Sequence, residues 1–402
     1  MKTAQEQDVW LAGVPAVAQL FPPGTRRLSH RPGRSPCLLV LPSARSPRML
    51  VPSGLAAAAG MLHRHHTTRL QRFGQDVLAL GLWSRLLPLA PVARLVPARG
   101  PGGATIEEHV GRHIPEAALI GVLLGPPRAN AKPVLRVFGA DGRTIAFGKV
   151  GHDALSARLV RTESAVLQKL STEPFLHLAV PRVIHAGNWH GLEVLLITPM
   201  QPSLRREASW ELPLAAMREL TRSSDLSTGP IATSPYLVGL AGRVDASGPD
   251  SGVLTVLDSV LMLVGDVVIR YGRWHGDWAP WNTGSTVGGR LQVWDWERSD
   301  ARVPVGFDAV HFLLQRAFGE NSTPACTAVS LLPEATCALK ELGVHRDQVV
   351  ATILLYLVEI LQRYVADAAG TPTLALQQRM NTIRSLIATI SKNLSRELRA
   401  DA

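Results

Sequence analysis

Between residues 118 and 200 the apolar positions fall in short runs rich in Val, Ile and Leu: Ala118 to Leu124, Val134 to Phe138, Thr144 to Val150, Arg182 to Ala186 and Leu192 to Thr198. Runs of this length bounded by turn residues predict strands. Asp141-Gly142, between the second and third, is a hairpin dipeptide, since a tight two-residue turn needs positive φ. One helical period interrupts the strands, with Leu155, Leu159, Val166, Leu167 and Leu170 on one stripe and Asp153 placed as its N-cap. Five strands and one helix make a small antiparallel-sheet lobe. Beyond Pro202 the spacing becomes mainly helical, near 208–221, 251–271, 308–318, 325–342, 345–367 and 373–397. Gly- and Pro-bearing loops at 222–236 and 246–252 and a compact segment at 273–297 separate these helices. The pattern predicts an α+β chain whose large second lobe is helical.

Ahead of both lobes, Ala98-Arg-Gly-Pro-Gly-Gly-Ala104 resists helix and strand alike and reads as a linker. It sets off residues 1–100 as an N-terminal α/β accessory unit of unknown role, leaving 104–200 as the small lobe and 201–402 as the helical lobe. Within the accessory unit, Cys37 to Leu41 and Met49 to Val51 flank a turn and read as a hairpin, and helical patterns follow near 54–73 and 75–87. His63, His65 and His66 lack an acidic or Cys partner at metal-ligand spacing, so they read as a solvated helix face.

Composition narrows the class. Of 402 residues 46% are hydrophobic and 18% charged, which excludes a disordered chain. Three scattered cysteines, Cys37, Cys326 and Cys337, support neither a disulfide framework nor a Cys-based zinc site and suggest a reducing compartment. The start, Met-Lys-Thr-Ala-Gln-Glu-Gln-Asp, lacks the basic-then-apolar order of an export signal, and a cytoplasmic location is expected. Asp258 and Asp266 interrupt the apolar run Val253 to Ile269, and Val349 to Leu361 is too short to span a bilayer, so both read as buried helices with no membrane partner. The net charge of +10 comes from arginines spread along the chain, without a nucleic-acid-binding motif, so no nucleic-acid partner is expected. Only six residues are lysines, Lys2, Lys132, Lys149, Lys169, Lys340 and Lys392, so each invites a question.

One set of residues carries chemistry. His275-Gly-Asp277-Trp-Ala-Pro-Trp-Asn282 is followed by Val293-Trp-Asp295-Trp-Glu297. An Asp, an Asn five residues on and a further Asp after a hairpin-like excursion suit phosphoryl transfer. The first carboxylate can orient and deprotonate a hydroxyl, while the Asn amide oxygen and the second carboxylate are hard ligands for Mg2+. Upstream, Lys149 ends a strand, and Glu163 lies within the apolar stripe of the following helix, where a carboxylate needs a partner. Paired, they would place the lysine toward nucleotide phosphates; the same pair could be purely structural. Five of the nine tryptophans, at 274, 278, 281, 294 and 296, crowd the segment and read first as packing.

Taken in order, the strand lysine, helix glutamate, His-Gly-Asp…Asn loop, Asp-Trp-Glu motif and an Asp308 opening a helix make residues 105–370 resemble the aminoglycoside phosphotransferase and choline kinase group. That group has the two-lobed protein-kinase-like fold. The resemblance implies Asp277 as catalytic base, Asn282 and Asp295 as Mg2+ ligands, and Lys149 with Glu163 on the phosphates. It further implies Met200 near the adenine of ATP or GTP, and His275 and Asp308 as supports of the catalytic loop. Pro199 has no N–H to donate there. The turn Gly125-Pro-Pro-Arg-Ala-Asn-Ala131 departs from the protein-kinase pattern, with one glycine where three are usual. The expected function is ATP/Mg-dependent phosphorylation of a small-molecule hydroxyl. The alternative is a catalytically idle relative acting as a regulatory or scaffolding subunit. Acids scattered through the C-terminal helices, such as Glu334, Glu341 and Glu359, do not form the anionic cluster that an aminoglycoside would want.

Overall fold

The computed structural model describes residues 14–31, 37–53, 61, 80, 92–98, 104–125, 131–200, 211–248, 251–285, 288–319, 324–370 and 372–400. The chain divides into two compact units, Met1–Ala165 with Pro181–Pro199 and Val166–Val180 with Met200–Ala402. The linker at 98–104, the helical patterns of 54–87, the turn after Gly125 and His63, His65 and His66 lie largely or wholly outside the described residues.

The first unit is organised by a sheet of strands β1 (Arg26–Ser29), β2 (Leu38–Ser43), β3 (Ser46–Pro52), β4 (Arg94–Pro97), β5 (Leu119–Leu123), β6 (Val134–Phe138), β7 (Thr144–Gly151), β9 (Val183–Trp189) and β10 (Leu192–Ile197). β8, Leu178–Ala179, belongs to the second unit. The order is β1-β4-β2-β3-β5-β6-β7-β10-β9, and every neighbouring pair is antiparallel. Gly142 takes φ 81° in the β6–β7 turn, as its hairpin dipeptide requires. Helix α1 is Pro15–Leu20 and α2 is Ile106–His113, the latter capped by the Thr105 side chain accepting from the Glu108 N–H. α3, Ala154–Leu170, starts where the Ser156 N–H donates to Asp153 Oδ1 at 2.8 Å. Val17, Leu20, Phe21, Leu38, Leu50 and Leu95 share one buried cluster with Ile106, Val110, Ile120, Val122 and Leu135.

This continuity corrects the expected boundary. Among the described residues before 100, the hairpin of β2 and β3 does not stand apart: it pairs with β5 through Met49↔Leu123 and Leu50↔Val122, within the same compact unit. An isolated ribbon is marginal in water, and the apolar face of the hairpin gains its cover from the neighbouring sheet.

The second unit is mainly helical. It contains α4 (Leu214–Arg222), α5 (Pro235–Asp245), α6 (Val253–Val264), α7 (Phe307–Gly319), α8 (Pro324–Glu341), α9 (Val349–Gly370) and α10 (Leu374–Ala400). Two three-stranded sheets accompany them: β11 (Ser227–Pro230) with β12 (Val268–Trp274) and β15 (Asp300–Pro304), and β13 (Thr283–Ser285) with β14 (Leu291–Val293) and β8. The expected helix at 251–271 is cut short at Val264, after which the chain runs as β12. Pairing with β11 and β15 overrides the helical spacing there. α5 replaces part of the expected loop at 222–236 and the residues after it. Its Gly239 and Gly242 lower its local propensity, while Ser234 caps it by accepting from the Leu237 N–H at 3.1 Å. The helix Arg346–Gly370 is long and apolar enough to cross a membrane by composition. Here residues 349 and 351–364 are buried, and many join Phe307, Leu313, Leu339 and Ile383 in the core of this unit.

Candidate active site

In the first unit, strand pairing aims one lysine at one glutamate. Lys149 lies on β7 opposite Val134 of β6 and Leu195 of β10, well inside the sheet. Its Nζ donates to both carboxylate oxygens of Glu163, at 2.7 and 2.6 Å, and the Glu163 side chain is wholly buried. Removing one partner of such a pair costs about 3–5 kcal/mol, because the other is left as an unpaired buried charge.

In the second unit, the end of β12 delivers the chain into the segment 275–282. Gly276 adopts φ 87°, and a Cβ there would sit 2.3 Å from the Arg298 carbonyl oxygen, so this position requires glycine. The backbone N–H groups of His275 and Gly276 donate to Asp308 Oδ2 and Oδ1, at 2.7 and 3.1 Å. Asp308 is the second residue of α7. Burial raises its pKa to about 7 even though both donors oppose that shift.

The His275 ring is buried and holds two segments together. Its Nδ1 accepts from the Asp277 N–H at 3.2 Å, which leaves the ring proton on Nε2 to donate to the Trp294 carbonyl at 3.1 Å. Burial lowers its pKa to about 4, against the charges of Asp277 and Asp295. It meets Trp278 and Trp296 edge-on, and both of those rings are fully buried. With Trp274 packed against Phe307, three of the five tryptophans are core residues.

Asn282 ends a short 3-10 turn, Pro280–Asn282, which brings its side chain back onto Asp277. Its Nδ2 donates to the Asp277 carbonyl and to Asp277 Oδ2, both at 2.9 Å. The amide oxygen is the polar atom that remains. Asp295 follows β14 with φ 75°, a left-handed conformation that a non-glycine residue rarely holds and that is concentrated at functional sites. Asp277 and Asp295 lie close enough for each charge to act on the titration of the cluster.

Three residues joined to this cluster carry no signal in the local motif. His311, on α7, places Nε2 3.3 Å from Asp277 Oδ1; the approach is off the N–H direction, so it is an electrostatic contact and not a well-formed hydrogen bond. The Tyr356 hydroxyl and His311 Nδ1 are 3.0 Å apart. With the hydroxyl donating, the imidazole proton is left on Nε2, the ring nitrogen nearer Asp277. Burial opposes ionisation of Asp277, but His311 and then Arg363 outweigh it and hold the carboxyl below its ordinary range. The side chain of Asp277 is still 35% exposed.

Arg363, on α9, donates to the Gly276 carbonyl at 2.5 Å, stacks over Trp274 and lies 3.6 Å from Glu359. Glu359 accepts from Arg243 at 2.5 Å and from the Tyr236 hydroxyl at 3.1 Å, so this acid is committed inside the fold. Two signals were available in the sequence: Asp308 and His311 are one helical turn apart, and Glu359 and Arg363 are charges at i,i+4 in an otherwise apolar run.

The structure therefore assembles His275, Asp277, Asn282, Asp295 and Asp308 in the second unit, and Lys149 with Glu163 in the first. Met200 comes three residues after the end of β10, at the start of the second unit. No family model matches the chain, and no curated protein matches it. Among solved structures, it is similar to a thermostable mutant of the aminoglycoside phosphotransferase APH(4)-Ia in ternary complex with AMP-PNP and hygromycin B, at 13% identity and TM-score 0.47, over 72% of this chain and 98% of that one. It is likewise similar to the choline kinase LicA from Streptococcus pneumoniae, at 13% and 0.47, over 71% and 98%. A further similar structure is a putative fructosamine-3-kinase from Haemophilus somnus 129PT, at 12% and 0.46, over 70% and 96%. At these identities and TM-scores the likenesses carry no functional argument, which rests on the residues.

Proposed function

We propose that the chain is an ATP- and Mg2+-dependent phosphotransferase of the aminoglycoside phosphotransferase and choline kinase type, acting on a hydroxyl of a small molecule. The observation that carries this reading is the bracing of Asp277: its carboxylate is met by Asn282 on one side and His311 on the other, yet stays partly open to solvent. A carboxylate held below its ordinary pKa is a weak base at neutral pH. Its main work is then to orient the acceptor hydroxyl in line with the phosphorus and to take the proton late.

Asn282 and Asp295 fit a magnesium ion. The Asn282 amide nitrogen is engaged with Asp277, which leaves a hard carbonyl oxygen, and Asp295 adds a carboxylate. When bound, the ion would neutralise charge on the phosphates. Lys149, fixed by Glu163, would contact those phosphates, and Met200 would meet the base. His275 and Asp308 hold the backbone of the Asp277 loop, tying it to the Trp294 carbonyl and to α7.

The testing experiment is a thermal-shift comparison of ATP and GTP with and without Mg2+, followed by nucleotide consumption across a panel of hydroxyl-bearing metabolites. Metal-dependent stabilisation together with acceptor-dependent consumption is the expected result. A protein that no nucleotide stabilises would act as a regulatory or scaffolding subunit instead.

A further inference from the structure

A group of three histidines lies in the first unit, among residues that the proposed phosphotransfer does not use. His109 and His113 are four apart on α2, so they sit on one face of the helix a turn apart. His185 comes from β9, which closes one end of the sheet order. The three residues present one ring nitrogen each within 4.8 Å of one another. Tetrahedral Zn2+ bound to imidazoles at about 2.0–2.1 Å needs nitrogens roughly 3.4 Å apart, and because imidazole donates in its ring plane the exposed His113 ring must turn out of its near-parallel stack on His185 for both to face one ion.

Two observations point to a missing ligand. His109 is buried and His185 half-buried, and Nε2 of each is shielded from solvent without a hydrogen-bond partner. A buried polar atom left unpaired costs about 1–3 kcal/mol, so two in one cluster require an explanation. The rings are also clustered: the His113 and His185 centroids are 3.5 Å apart, in a stacked pair that must open for both to bind one ion, and His109 lies 4.9 and 5.3 Å from them. His113 is exposed, which gives an ion a way in.

We propose that His109, His113 and His185 form a binding site for a borderline transition-metal ion, Zn2+ in the first instance, that staples α2 to the edge strand β9. Three imidazoles with no carboxylate or thiolate in the group suit Zn2+, Cu2+ or Ni2+ and not Mg2+ or Ca2+. Three protein ligands leave a fourth position for water. The ion would satisfy both shielded nitrogens and tie helix to sheet within one unit. The sequence signal is His-x-x-x-His on a short helix, with a third ligand that only the packing of β9 supplies.

The test uses full-length, tag-free, metal-stripped protein titrated with Zn2+ against a chromophoric competitor, with Co2+ absorption as a coordination readout. Wild type is expected to bind one Zn2+ per chain through this site, to show the intense visible bands of tetrahedral Co2+, and to melt at higher temperature with Zn2+. Loss of an outer-shell partner alone weakens metal sites about 10- to 100-fold. His113→Ala, at an exposed position, is therefore expected to weaken binding more than roughly tenfold and to abolish the thermal shift, as is His185→Ala. His63→Gln/His65→Gln/His66→Gln and Asp295→Asn are expected to leave this binding intact. Unchanged Zn2+ affinity in the His113→Ala/His185→Ala double variant, loss confined to the residue 63–66 variant, or no stoichiometric binding by wild type would each overturn the proposal.

Discussion

Deleting residues 1–103 asks how much of the first unit stands on its N-terminal strands. β3 covers one edge of β5, and the Arg48 carbonyl accepts from the N–H groups of Leu124 and Gly125 at 2.9 and 3.2 Å. Nine of the 22 buried residues in the cluster beneath the sheet precede residue 104. Their removal bares part of Ile106, Val110, Ile120 and Val122, none more than 4% exposed in the full chain. Exposing one such side chain fully costs about 1.5–3 kcal/mol, so half-exposing four costs roughly 3–6 kcal/mol. That is comparable with the whole stability of an ordinary domain, about 5–15 kcal/mol. The freed edge of β5 also becomes a template for intermolecular pairing. A protein comprising residues 104–402 is expected to be insoluble or to lose its cooperative melt, as read by size-exclusion chromatography and circular dichroism. A soluble monomer melting cooperatively within about 5 °C of the full chain would refute the reasoning, since the deficit above predicts a drop of roughly 6 °C or more.

The proposed roles yield three further expectations. Asp277→Asn should leave nucleotide binding nearly intact while lowering turnover by about two to four orders of magnitude, because that carboxylate serves the acceptor hydroxyl; equal loss of both in calorimetry and kinetics would mean that Asp277 and Asp295 are misassigned. Asp295→Asn should remove most of the Mg2+-dependent part of ATP stabilisation, which reaches about 2.7 kcal/mol at 100 times the dissociation constant; an unaltered thermal shift would exclude Asp295 as a ligand. Asp308 keeps its proton to about pH 7 in the fold, whereas the unfolded carboxyl loses it near 3.8, so across that window the folded state binds more protons and stability falls as pH rises. His275, lowered to about 4 from 6.5, contributes the opposite slope between those values. Asp308→Asn should therefore make urea-measured stability climb with pH more steeply than wild type, by up to about 1.4 kcal/mol per unit below pH 6.5, and identical slopes would count against a protonated Asp308.

Much of the local structure was legible because its causes are local. Short β-branched runs, Asp141-Gly142 and the Asp153 cap act over a few residues, and the strands from 119 to 197 and most helices beyond 300 appear close to where periodicity puts them. The segment 275–282 was legible for the same reason: the return of Asn282 to Asp277 is made by one short turn. Amphipathic stripes also showed that Glu163 would be buried, since a charge inside an apolar face has few other fates.

Where burial came from distant chain, the sequence was silent or misleading. Gly and Pro at 98–104 argued for a domain boundary, but hydrogen bonding between β3 and β5 carries the sheet across it, and no local signal encodes which edge a hairpin will seek. The helical spacing of 265–271 yielded to pairing with β11 and β15. His311 and Arg363 reach Asp277 and Gly276 from helices far along the chain, with Tyr356 holding His311, and His185 meets His109 and His113 only through the packing of β9 beside α2. The sequence by itself determined the elements and the order of the chemical groups, because propensity, capping and turn chemistry act within a few residues. Only the tertiary structure decided which groups share a dielectric environment, which strands share an edge and which nitrogens are left without a partner, because those depend on contacts whose closure the chain's local pattern does not specify.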